Sequence, residues 1–125
     1  MIAHAMLHVS DIDTSKDFYT KTLGPLGYSI LSEFPEWKVV GLGENGNSDM
    51  WIVGDGAEKP SHVAFAASDK DAVQQFYDAG LAAGGSDNGA PGYRKDYAPG
   101  YYAAFVKDPD GHNIEAVFMD PHPAE

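Results

Sequence analysis

Apolar and polar residues alternate along several short stretches of this chain, and two longer stretches break the alternation with a helical period. "AHAMLHVSD" (3–11) has period two and predicts a strand, with Ala5, Leu7 and Val9 on one face and His4, Met6 and His8 on the other. "DTSKDFYTKTL" (13–23) opens on capping residues, sets Phe18, Tyr19, Thr22 and Leu23 at helical spacing, and is stopped by "GPLG". "YSILSEF" (28–34), "WKVVGLG" (37–43) and "SDMWIVG" (48–54) read as three short strands, divided by Pro-Glu and by "ENGN". The order then starts again. "SHVAFAA" (61–67) is a strand, and "DKDAVQQFYDAGLAAGG" (69–85) a helix with Val73, Phe76, Tyr77 and Leu81 on one face. Residues 86–100 are loop-rich with room for one irregular strand. "YYAAFVKD" (101–108) and "HNIEAVFM" (112–119) are strands joined by a tight Asp-Pro-Asp-Gly turn.

The chain therefore reads as α+β, with two βαβββ modules at about 1–56 and 60–120 and a tail at 120–125, together one domain spanning 1–125. Elements in this order pack as sheet with helices on one face. The helix side of the strands would carry Ala5, Leu7, Val9, Val63 and Phe65, which leaves the other face free to line a cavity.

Composition narrows the function classes. The formal net charge is −11, from 19 acidic against 8 basic residues, which disfavours non-specific nucleic-acid binding. With no cysteine in the chain, disulfides and thiol catalysis are excluded. There is no apolar run of the length a membrane helix needs and no signal-peptide pattern at the start, so a cytoplasmic setting is expected. "GLGENGN" is not followed by a helix or a Lys-Ser/Thr pair, so it is no phosphate loop, and no Gly-x-Ser-x-Gly elbow is present.

Strand parity singles out three residues. His4, His62 and Glu115 all avoid the helix side: His62 lies opposite Val63 and Phe65, and Glu115 opposite Ile114, Ala116 and Phe118. Two imidazoles and a carboxylate suit a facial triad for a divalent metal with positions open to water or substrate. Taken singly, each has a plain alternative, a strand-end histidine or a solvated glutamate. His8, on the face of His4, is a candidate general base or a supporting group near the site. Arg94, in "PGYRKDYAPGYY", is a candidate bidentate partner for a substrate carboxylate or phosphate, with Tyr101 beside it. The alternative is a loop with aromatic anchors. Trp51 and Trp37 suit an apolar pocket for an aromatic substrate, and equally a core or a dimer interface. His112, after the turn glycine, is expected to face solvent, and His122 falls in the tail.

"HVSDIDTSKDFYTKTLG", "SHVAFAASDKDAV" and above all the closing "FVKDPDGHNIEAV" resemble the vicinal oxygen chelate superfamily, over nearly the whole chain. It includes glyoxalase I, extradiol dioxygenases and bleomycin-binding proteins. The resemblance implies two βαβββ modules forming an open, U-shaped mixed sheet with helices on its outer face. It further implies Fe²⁺, Mn²⁺, Zn²⁺ or Ni²⁺ on His4, His62 and Glu115, a small substrate chelated through adjacent oxygens, and a homodimer. The expected function is a metal-dependent glyoxalase-like lyase or isomerase, or an extradiol-type dioxygenase. The rival is a metal-free drug-binding protein. One position departs from the pattern: where glyoxalase I has a fourth ligand, usually Glu, this chain has Trp51; Asp49 has the same parity one step earlier, and a register slip would bring it in.

Overall fold

The computed structural model describes residues 2–56 and 59–123; the last two positions of the expected tail lie outside them. The first module runs β1 (Ala5–His8), α1 (Ile12–Leu23), β2 (Ser29–Phe34), β3 (Val39–Glu44) and β4 (Asn47–Val53). The second runs β5 (His62–Ala66), α2 (Lys70–Ala82), β6 (Ser86–Tyr93), β7 (Tyr101–Lys107) and β8 (Asn113–Met119). This is the expected α+β arrangement. Each module makes a four-stranded mixed sheet, in the order β1-β4-β3-β2 and β5-β8-β7-β6. The first strand of each runs parallel to the last, and the other neighbours are antiparallel. Among the described residues no hydrogen-bonded pairing joins the two sheets into one.

Local chemistry explains the boundaries. Asp11 caps α1 by accepting from the N–H groups of Asp13 and Thr14, and Asp69 caps α2 by accepting from Ala72. Asn45 and Gly46, at φ 55° and 76°, form the two-residue turn between β3 and β4 that "NG" favours. Two details differ from the sequence pattern. Trp37 falls in a short 3₁₀ turn, Pro35–Trp37, before β3 starts. The loop-rich stretch after α2 yields a strand of eight residues, β6, despite Gly89 and Pro91. An edge strand tolerates them because one side of its backbone owes no ladder bonds, and its register against β7 shifts around Gly89.

The two helices share one core. Phe18, Tyr19 and Leu23 of α1 and Val73 and Phe76 of α2 are fully buried. They pack in one cluster with Leu7, Val9, Leu42 and Ile52 of the first sheet and Ala104, Val106, Ile114 and Ala116 of the second. Gly80 allows the close approach: a Cβ there would stand 3.1 Å from Val106 and 3.3 Å from Thr22. No helix among the described residues is long and apolar enough to cross a membrane.

The turn after β7 ties the modules together. The Tyr19 hydroxyl donates to Asp108 at 2.5 Å, and burial followed by the Asp108 charge raises its phenol well above the ordinary value. The other oxygen of Asp108 accepts the backbone N–H groups of Asp110 and His112. His112 does not face solvent: it is 2% exposed. Its Nδ1 accepts from the Ser61 N–H at 2.9 Å and its Nε2 donates to the His8 carbonyl at 2.8 Å. The glycine before it, Gly111 at φ 87°, turns the chain inward. His112→Ala strands a buried donor and a buried acceptor, so a loss of about 2–4 kcal/mol is expected in urea unfolding.

Candidate active site

The face of the second sheet turned away from α2 carries the strongest chemistry. On β8, Glu115 stands opposite Ala64 of β5 on one side and Phe105 of β7 on the other. His62 stands opposite Asn113, one pleat earlier. The Glu115 side chain is 3% exposed, and its Oε1 lies 3.0 Å from Nε2 of the half-exposed His62. Its Oε2 accepts the hydroxyl of Tyr101. Burial, and then that hydrogen bond and the carboxylate charge, push the Tyr101 phenol up to about 12, so it stays a donor at neutral pH. Phe105 lies against the imidazole with ring centroids 6.4 Å apart at 26°.

The tautomer of His62 decides what this pair can hold. Its Nδ1 sits 3.0 Å from the Asn113 carbonyl, which can only accept, so Nδ1 carries the proton. Nε2 faces the carboxylate oxygen, and where it brings a lone pair and not a proton it meets a second acceptor. Two acceptors at that distance need a cation between them, a proton or a metal. Two metal bonds of about 2.1 Å meeting near a right angle put their donor atoms about 3.0 Å apart. The donor set, the fixed tautomer and the Tyr101 bond to the second carboxylate oxygen thus fit a divalent metal, with the outer partners that ligands of this kind need.

The remaining candidates are distributed around this pair. His4 does not share its surroundings: it lines a cleft of about 270 Å³ with Tyr28, Asp49 and residues 63–66. Among the described residues no three His, Asp or Glu side chains of one chain come together closely enough to hold a metal. His8 pairs through Nδ1 with Asp55 at 2.8 Å, which leaves Nε2 as its basic nitrogen, beside Ser61 and His112 in a second cleft of about 260 Å³. Arg94 donates to the carbonyls of Ala90 and Gly92 and lies over the Phe105 ring at 5.4 Å, on the same face as His62. Trp51 occupies the matching face of the first sheet, stacked on Phe34 at 6.4 Å and 19°, with Phe34 in turn on Trp37 at 5.6 Å and 28°. Trp37 is 68% exposed.

Sequence reasoning did not assign Phe105 or Asp55 and did not connect Tyr101 to Glu115. Parity alone could have placed Phe105 and Tyr101 on the face of Glu115. The register that makes them neighbours is a tertiary property.

Residues 1–116 match the profile of the Glyoxalase/Bleomycin resistance protein/Dioxygenase superfamily. A "Probable lactoylglutathione lyase" from Vibrio cholerae is 34% identical, over 93% of this chain and 88% of that one. The crystal structure of a glyoxalase/bleomycin resistance protein from Albidiferax ferrireducens is 29% identical and superposes with a TM-score of 0.78, over 97% of this chain and 98% of that one. That of the lactoylglutathione lyase from Agrobacterium tumefaciens, at 18% identity and a TM-score of 0.71 over 94% and 92%, shares the fold. The βαβββ repeat, the closing Asp-Pro-Asp-Gly hairpin and the match along almost the whole length lead to one conclusion: the chain belongs to the Glyoxalase/Bleomycin resistance protein/Dioxygenase superfamily.

Proposed function

We propose that this protein is a divalent-metal-dependent enzyme of the glyoxalase type, a lyase or isomerase acting on a small substrate that offers two adjacent oxygens. The observation that carries this reading is the 3.0 Å approach of His62 Nε2 to a nearly buried Glu115 oxygen. The likeness to a probable lactoylglutathione lyase adds the reaction class. His62 and Glu115 would hold Fe²⁺, Mn²⁺, Zn²⁺ or Ni²⁺ together with His4. Such an ion, when bound, draws charge from chelating substrate oxygens. An extradiol-type dioxygenase is the other enzymatic reading of two histidines and one carboxylate.

The chain's own residues do the positioning. Tyr101 holds one Glu115 oxygen so that the other faces His62, and the Asn113 carbonyl fixes which imidazole nitrogen is free. Arg94 spends two donors on backbone carbonyls and has N–H groups left for a substrate anion. His8, oriented by Asp55, lines a cleft with Ser61 at the start of β5 and is the candidate proton-transfer group there. His4 lies apart from His62 and Glu115 within one chain. We therefore take the active form as a homodimer in which His4 of one protomer meets His62 and Glu115 of its partner.

A second reading has its own support. The exposed Trp37–Phe34–Trp51 stack suits a planar aromatic ligand, as in a metal-free drug-binding protein. Metal binding separates the two. Protein purified without a tag or chelator should carry near-stoichiometric metal by mass spectrometry, and His62→Ala and Glu115→Ala should each lose it. Failure to take up Fe²⁺, Mn²⁺, Ni²⁺ or Zn²⁺ would favour the binding protein. Mixed His4→Ala and His62→Ala protomers test the dimer. A site shared between chains leaves one intact site per mixed dimer, so metal binding should return to as much as half of the wild-type level. A site within one chain would give no recovery.

A further inference from the structure

A second cleft lies where the two modules meet, apart from the His62–Glu115 pair. Its volume is about 260 Å³, and it is lined by His8, Asp55, Gly56, Lys59, Ser61 and His112. His8 and Asp55 belong to the first module, Ser61 and His112 to the second, and neither His62 nor Glu115 is among the lining residues.

The frame of this cleft is fixed by hydrogen bonds to backbone. His112 is 2% exposed and spends both ring nitrogens that way, Nδ1 on the Ser61 N–H and Nε2 on the His8 carbonyl. Ser61 is held a second time, because its carbonyl accepts the Asn113 N–H at 2.8 Å. Gly56, at φ 105°, donates its N–H to the Val9 carbonyl at 3.0 Å, which lays the chain after β4 along the end of β1.

The polar ends of the lining side chains are largely unspent. Asp55 Oδ1 accepts from His8 Nδ1 at 2.8 Å. A carboxylate can only accept, so Nδ1 carries the proton and Nε2 is left over. Among the described residues the Lys59 ammonium has no ion pair, in a chain with 19 acidic residues, and the Ser61 hydroxyl makes no hydrogen bond. Hydrogen-bonding capacity then selects the occupant. An ammonium and a hydroxyl donate, which suits an oxyanion. The second oxygen of Asp55 and Nε2 of the neutral imidazole accept, which repels an anion made of bare oxygens. Inorganic phosphate satisfies both sets, because near neutral pH it is charged and still carries a P–OH. Sulfate brings no proton, and a phosphomonoester has shed most of its own there.

We infer that this cleft binds inorganic hydrogen phosphate, with Lys59 and Ser61 donating to its charged oxygens and the Asp55–His8 pair accepting from its P–OH. The ion bridges the two modules. This site is separate from the metal-dependent reading above and does not rest on it.

The test is calorimetric titration of the full-length protein with inorganic phosphate and with sulfate at equal ionic strength. A chelator is present, so phosphate held by a metal does not contribute. Phosphate should bind saturably and at least about tenfold more tightly than sulfate, with glycerol 3-phosphate weaker than phosphate. Asp55→Asn presents an amide that also donates, so the two anions should come within about twofold of each other. Lys59→Gln should weaken phosphate at least about fivefold. Lys21→Gln, a control on the surface of α1, should bind as wild type does. Phosphate should also raise the thermal midpoint of the wild type, since the bridged joint exists only in the folded chain. Should a variant fail to fold, nuclear magnetic resonance on the wild type decides: the ring protons of His8 should shift as phosphate is added, and those of His122 should not. No saturable phosphate binding, sulfate bound as tightly as phosphate, or full preference retained by Asp55→Asn would each overturn the inference.

Discussion

The close approach of α1 to α2 is the contact on which the rest of the structure depends. A four-stranded sheet with one helix leaves the outer side of that helix apolar and uncovered, and each module solves this with the helix of the other. Gly80 makes the approach possible, because even a methyl group would press on Thr22 and Val106. With both helices spent on each other, the opposite faces of both sheets are left open, and those are the faces that carry His62, Glu115, Trp51 and the aromatic stack. The hydrogen bonds around Asp108 and His112 lock the joint in one geometry. The core thus decides not only stability but which surfaces remain for chemistry.

Much of this was legible because a strand exposes its faces by parity. The alternation around Leu7, Val63 and Ile114 correctly placed the helix side, and with it the side on which His62 and Glu115 stand. What parity could not supply was distance. His4 belongs to the right face of the right kind of strand, yet it lies in a cleft of its own, because the relative placement of the two sheets comes from helix packing. His112 read as a loop histidine because nothing local signals that Ser61 and the His8 carbonyl will close over it. β6 was obscured by Gly89 and Pro91, which only its place at a sheet edge makes tolerable. In the β3–β4 ladder Leu42 faces Met50 and Gly43 faces Ser48, a shift beside Asp49 that needs Gly43 on the neighbouring strand, a coupling between residues that no single-strand pattern contains.

The carboxylates of this acidic chain fall into two kinds. Some are structural: Asp108 gathers donors at the joint, and Asp120, held below the usual carboxylate range chiefly by the Tyr93 hydroxyl, fastens the chain beyond β8 to the start of α2 through Tyr93 and Lys70. Others leave an oxygen outside such networks: Glu115 Oε1 faces His62, and Asp49 Oδ1 has no hydrogen-bond partner among the described residues. The first kind spends its acceptor capacity on the fold, and the second does not.

The aromatic stack has one more consequence. The chain contains only two tryptophans, and both belong to that stack, on the face of the first sheet turned away from the helices. Light absorbed selectively by indole therefore interrogates a single patch of the molecule. Emission excited in that way reports the surroundings of Phe34, so the first module is seen by its indoles while the second, which holds tyrosines but no tryptophan, stays dark to it.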